Sequence, residues 1–139
     1  MIIIGIDPGI RKTGYGIIKS SKNNAELVDY GIISSNSDES VAKRIYSIYC
    51  DVEMLISKYK PVVLSIEDIF FSNNVKSMLL LGQARGAALI AAASKEMIIY
   101  EYSAKKIKQS LTGNGNSGKH QVQFMVQNIL KLSSPPSPL

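Results

Sequence analysis

Two carboxylates in this chain each close a short apolar run. Asp7 follows Ile2-Ile3-Ile4-Gly5-Ile6, and Glu67 follows Val62-Val63-Leu64-Ser65-Ile66. Short runs this rich in β-branched residues read as strands buried on both faces. A carboxylate at the tip of such a strand is costly to dehydrate unless it is paired or binds a cation. Two of them at neighbouring strand ends could form one joint site for a cation. Each acid alone also has a plainer reading. Asp7 precedes Pro8-Gly9 and could cap that turn through backbone N–H groups, while Glu67 could cap a helix. A nucleotide loop is a weaker rival, because Gly5, Gly9, Gly14 and Gly16 lack the G-x-G-x-x-G order and no helix pattern follows them.

The elements around the two acids decide whether they meet. After the Pro8-Gly9 turn, Thr13-Gly14-Tyr15-Gly16-Ile17-Ile18 repeats a strand pattern. Glu26–Ile33 repeats it again beyond Lys22-Asn23-Asn24, so the chain opens as an antiparallel meander. Ser37-Asp38-Glu39-Ser40 predicts a helix entry with acids in the first turn. Val41, Ile45, Ile48, Val52, Leu55 and Tyr59 then form an amphipathic stripe, and Pro61 ends the helix. Cys50, inside that helix, reads as a small buried or half-buried residue. A helical crossover makes the next strand parallel to the first, which brings Asp7 and Glu67 to the same ends of the sheet. If that strand continues through Asp68, the Asp68 side chain points to the opposite face.

Phe70-Phe71 follow in a loop with Ser72-Asn73-Asn74. Either one ring is exposed for stacking on a base, or both pack beneath the loop. The Val75–Lys95 segment is helical and apolar on more than one face, so it needs two buried contacts. The sheet supplies one and a second protomer the other, with Ala87 and Ala91 as the positions that probe the second. Met97–Tyr102 reads as a fifth strand, and Ser103 caps a short helix carrying Lys105, Lys106 and Lys108. A Gly/Asn-rich loop leads to a last helix from Lys119.

At 139 residues the chain suits one domain, residues 1–139. Its net charge of +5 favours a polyanionic partner. From Tyr102 onward there are five lysines, one histidine and no acid, a pattern suited to neutralising phosphates. His120 reads as a further phosphate contact or a bystander rather than a general base. A single cysteine fits a reducing compartment. The N-terminus lacks a signal-peptide pattern, and Gln83 and Arg85 interrupt the longest apolar region. These features point to a soluble, cytoplasmic protein with no membrane contact.

The quoted motifs together with Leu81-Gly82-Gln83-Ala84-Arg85-Gly86 resemble the RuvC crossover junction endodeoxyribonucleases, the bacterial Holliday junction resolvases. The resemblance runs in order from Ile3 to Leu139. It implies an α/β, RNase H-like fold: a mixed five-stranded sheet flanked by helices. It further implies a homodimer through the Val75–Lys95 helix and metal-dependent resolution of four-way DNA junctions in recombination and repair. A branch-migration helicase complex is the implied partner. Residue by residue, Asp7 and Glu67 match catalytic metal ligands for Mg2+, with Mn2+ as an alternative. Phe70 matches an aromatic that contacts DNA, and Lys108 and Lys119 match basic residues near the scissile phosphate. Lys105 joins them through the charge pattern. Family members carry further aspartates on a final helix beyond a Pro-rich loop, where this chain stops at Leu139. The resemblance is therefore to a C-terminally truncated member without that helix, and a second reading follows: a junction-DNA-binding module impaired in catalysis.

Overall fold

The isoleucine-rich start folds as β1 (Ile2–Asp7) in a computed structural model that describes residues 1–9, 11–22, 24–69, 73–103 and 105–106. Long antiparallel strands β2 (Lys12–Ser21) and β3 (Asn24–Ser34) follow. The helix α1 (Val41–Tyr59) crosses to β4 (Val63–Glu67), and α2 (Val75–Ala93) leads to β5 (Ile98–Tyr102). The five strands lie in the order β3-β2-β1-β4-β5. β1 pairs antiparallel with β2 and parallel with β4, while β5 extends the parallel half. The meander and the parallel crossover are thus both present, and β1 is the strand they share.

One face of this sheet builds the core. Ile4, Ile6, Ile17, Ile33, Leu64 and Ile66 pack with Ile48, Val52, Leu55 and Ile56 of α1 and with five alanines of α2. Those alanines (Ala84, Ala87, Ala88, Ala91 and Ala92) present little side chain, which lets α2 lie close against its neighbours. Strand alternation sends the intervening residues Ile3, Gly5 and Asp7, and likewise Ser65 and Glu67, to the opposite face. No described helix is long and apolar enough to cross a membrane.

Several boundaries and faces differ from expectation. Ser40 is the N-cap of α1, its hydroxyl accepting from the Lys43 N–H, so Asp38 and Glu39 lie outside the first turn. Pro61 ends the helix as expected, with Tyr59 its last residue. The residue before a proline disfavours the α conformation, and Lys60 instead turns left-handed (φ 52°) while its N–H closes on Ile56 O. Cys50 is exposed rather than buried. It shares an outward row with Tyr46 and Met54, at four-residue spacing, away from Ile48 and Val52. The α2 helix stops at Ala93, short of Lys95. Ala87 and Ala91 face the core, so they cannot probe a protomer interface; the outward apolar residues are Val75, Leu79 and Ile90.

One polar cluster ties the meander to α1. Asp29 Oδ2 accepts hydroxyl bonds from Tyr59 at 2.8 Å and Tyr15 at 3.3 Å, and Oδ1 accepts the Tyr30 N–H at 2.9 Å. Gly31 leaves room for the Tyr15 ring, which an added Cβ would meet at 3.0 Å. The Tyr59 hydroxyl, helped by the other two donors, holds the Asp29 carboxyl below its ordinary pKa. A depressed folded pKa contributes stability above the unfolded value, and that contribution is lost as pH falls through the folded one. Asp29→Asn should therefore flatten the acid limb of a thermal-midpoint profile taken from neutral pH to below the aspartate range. Parallel acid limbs in the two proteins would show that Asp29 is not the group responsible.

Candidate active site

The parallel register of β1 and β4 runs from Ile3 opposite Val63 to Ile6 opposite Ile66. One residue further, Asp7 and Glu67 stand on adjacent strand ends, both on the face away from the helices. With Pro8, Asp68, Ile69 and Leu81 they line a cavity of about 30 Å³. The expected convergence of the two acids is therefore what the topology produces.

The turn after Asp7 is held by a close backbone approach. A Cβ added to Gly9 would lie 1.9 Å from Lys12 O, so only glycine fits there. The Gly9 N–H donates to Thr13 Oγ1 at 3.4 Å, and Thr13 is a polar residue buried in the sheet. At Gly14, paired with Asp7 across β1 and β2, an added Cβ would stand 3.9 Å from the Asp7 Cβ. A larger side chain there would take up the carboxylate's space.

Asp68 goes the other way. Its Oδ1 accepts from Arg85 Nη2 of α2 at 3.1 Å, on the helix-covered side, as alternation requires. The Arg85 Nε also donates to the Glu67 carbonyl at 3.1 Å, and its Nη2 to Glu101 Oε1. The sequence shows Arg85 as an interruption of an apolar stretch and as part of a family motif, without giving it a partner. A cation in the middle of so apolar a helix was itself a signal that acids must meet it there.

A cavity of about 30 Å³ accommodates a water-sized species, and its carboxylate oxygens suit a hard divalent cation. Among the described residues no group of three or more His, Cys, Asp or Glu side chains could share one ion. Asp7 and Glu67 could thus hold a cation that draws its remaining ligands from water and phosphate oxygens. β5 runs parallel to β4, so its C-terminal end reaches the same side of the sheet. There Ser103 Oγ accepts from the Lys106 N–H, giving the expected helix cap, and exposed Lys105 follows it. Phe70, Lys108, Lys119 and His120 lie outside the described residues.

Residues 3–139 match the family model of the crossover junction endodeoxyribonuclease RuvC. The chain belongs to the RuvC family. A RuvC of Alkaliphilus oremlandii is 41% identical over 138 residues, which cover 99% of this chain and 84% of that protein. A RuvC of Pseudoalteromonas atlantica is 47% identical over 135 residues, 97% of this chain and 78% of its own length. Among solved structures, Thermus thermophilus RuvC in complex with a Holliday junction substrate superposes with a TM-score of 0.92 at 30% identity. It covers 99% of this chain, which in turn covers 84% of it. The yeast mitochondrial Holliday junction resolvase shares only the fold, with a TM-score of 0.65 at 13% identity over 92% of this chain and 64% of that one. The RNase H-like architecture expected of a RuvC, a mixed five-stranded sheet flanked by helices, is the one adopted.

Proposed function

We propose that this chain is a Holliday junction resolvase: an endonuclease that hydrolyses phosphodiester bonds in four-way DNA, serving recombination and repair. The observation that carries the reading is the near-full-length likeness to Thermus thermophilus RuvC, a structure solved with its junction substrate. The alternative, a junction-binding module without turnover, is not favoured, since the curated relatives carry the name of an endonuclease.

Asp7 and Glu67 are the proposed catalytic acids and the ligands of a divalent cation, Mg2+ with Mn2+ as an alternative. Bound there, the cation would lower the pKa of a coordinated water and offset charge on the phosphate. The two acids would hold that cation at the strand ends beside the reacting phosphate, and the cavity beside them admits little more than a water. Lys105, Lys108 and Lys119 neutralise flanking phosphates, and Phe70 offers a ring for base stacking. We take residues 1–139 as a single domain acting in the cytoplasm, with a branch-migration helicase complex as a further partner.

A cleavage assay on four-way and linear DNA, with Mg2+ and with EDTA, tests the function. Cation-dependent cutting confined to the four-way substrate is expected. Equal cutting of linear duplex would overturn the assignment, and junction binding without cutting in Mg2+ would restore the alternative.

Self-association through α2 is part of the same reading. Leu79 and Ile90 are 63% and 64% exposed on the helix side turned from the core, and a two-fold contact between copies would cover them. Leu79→Glu combined with Ile90→Glu should sediment as a folded monomer where the parent chain is a dimer. A double variant that remains dimeric would place the interface elsewhere. Ala91→Glu is unsuitable for this purpose, because Ala91 is 0% exposed and a buried charge would disrupt the core.

A further inference from the structure

We propose that Arg85 is a positioning residue for Glu67: its guanidinium, bonded to the Glu67 main chain, sets where that carboxylate projects at the metal site. The inference rests on the reading of Glu67 as a metal ligand.

The geometry is specific. The Arg85 side chain is 13% exposed and reaches from α2 across the ends of β4 and β5. Its Nε donates to the carbonyl of Glu67 itself at 3.1 Å. Its Nη2 bonds Asp68 Oδ1 at 3.1 Å and Glu101 Oε1. The main chain on the far side of Glu67 is fixed as well, since the Asp68 N–H donates to Tyr102 O at 2.7 Å. Beyond it Ile69 lies over Gly82, where an added Cβ would stand 3.5 Å from Ile69 Cδ1. Gly82 and Arg85 are three residues apart, on one face of α2.

Strand alternation sends the Glu67 side chain to the face opposite the helices, and what Arg85 bonds is the Glu67 main chain. The arginine holds the peptide from which the carboxylate springs. Any tilt of that peptide swings the side chain on the other face, and a metal ligand tolerates little such movement. Groups that orient a ligand in this way typically change metal affinity about 10–100-fold when removed. Three acceptors in different directions call for the planar fork of arginine. A lysine keeps the charge but presents donors from a single atom. Asp68 and Glu101 have a matching role. They neutralise a mostly buried guanidinium and hold its plane, and this pairing commits them to the helix face rather than to the cation.

Mn2+ titration of the full chain, read by the electron paramagnetic resonance signal of free Mn2+, tests this alongside thermal unfolding without metal. Glu67→Gln is the reference for loss of the ligand. Arg85→Lys should weaken Mn2+ binding about tenfold or more, and Glu101→Gln should weaken it less, in the same direction. A fall in unfolding temperature with unchanged Mn2+ affinity would make Arg85 merely structural and overturn the inference. Should Arg85→Lys fail to fold, Glu101→Gln decides alone. Its side chain is 51% exposed, so the fold should tolerate the change while the guanidinium loses one of the two acids that hold its plane, and wild-type affinity there also overturns the inference. If Glu67→Gln itself binds Mn2+ like the parent, Glu67 is no ligand, and the metal-site reading falls together with the inference. A weakened Glu67→Gln beside two unaffected variants removes the inference alone.

Discussion

Asp7→Asn should abolish cation-dependent cleavage of a four-way junction while leaving junction binding in EDTA close to that of the parent. The change is nearly isosteric, so the turn at Pro8-Gly9 and the β1–β2 pairing should persist. What disappears is one of the three carboxylates lining the cavity between the ends of β1 and β4, of which Asp68 is bonded to Arg85. No third acid among the described residues can share an ion there, so no described group replaces it. Each tenfold loss of rate corresponds to about 1.4 kcal/mol of transition-state stabilisation. Loss of an activating cation is worth several kcal/mol, so a fall of about a thousandfold or more is expected. Single-turnover cleavage of a labelled junction measures it. Retention of even a tenth of the parent rate would remove Asp7 from the chemistry.

The second large effect comes from a residue with no chemistry of its own. Gly9→Ala would place a methyl group 1.9 Å from Lys12 O and 3.1 Å from the Lys12 carbonyl carbon. These are backbone atoms of a paired strand and cannot rotate aside. The turn must open, which breaks the bond from the Gly9 N–H to Thr13 Oγ1 and disturbs the strand end that carries Asp7. Strain of this kind belongs to the mechanisms that exceed the usual cost of about 1 kcal/mol for a point substitution. We expect a loss of about 2 kcal/mol or more in urea unfolding, together with a sharp drop in cleavage. Wild-type stability in Gly9→Ala would mean that the turn relaxes freely and does not position Asp7.

The strand ends were legible because their physics is local and repetitive. The runs before Asp7 and Glu67 are too apolar and β-branched to be anything but central strands. The handedness and direction of a helical crossover then force the two acids together. Other features depend on contacts that no periodicity announces. Asp29 meets Tyr59 across 30 positions of sequence, and Arg85 meets Glu67 across 18. Hydrogen bonds that polar side chains make to distant partners leave no trace in spacing. Helix faces failed for a different reason. On α2, alanine and glycine occupy so many positions that apolarity cannot distinguish inside from outside, so Ala87 and Ala91 were assigned to the wrong side. On α1, Cys50 sits among Tyr46, Tyr49 and Met54, and an aromatic-rich outer face makes the inward stripe look broader than it is. Phe70 and the lysines beyond Lys106 belong to segments outside the described residues.

β1 joins two halves that differ in how the chain must find them. Its antiparallel pairing with β2, and that of β2 with β3, are made by neighbouring segments and close through short turns. Its parallel pairing with β4 needs the whole of α1 to fold and dock first, and such long-range pairings form slowly. Asp7 comes from the fast half and Glu67 from the slow one. A newly made chain that has completed only its hairpins displays one of the two proposed ligands, and one carboxylate binds a cation poorly. The pair is brought together when the crossover docks, so the proposed metal site is completed only by the slower, long-range pairing.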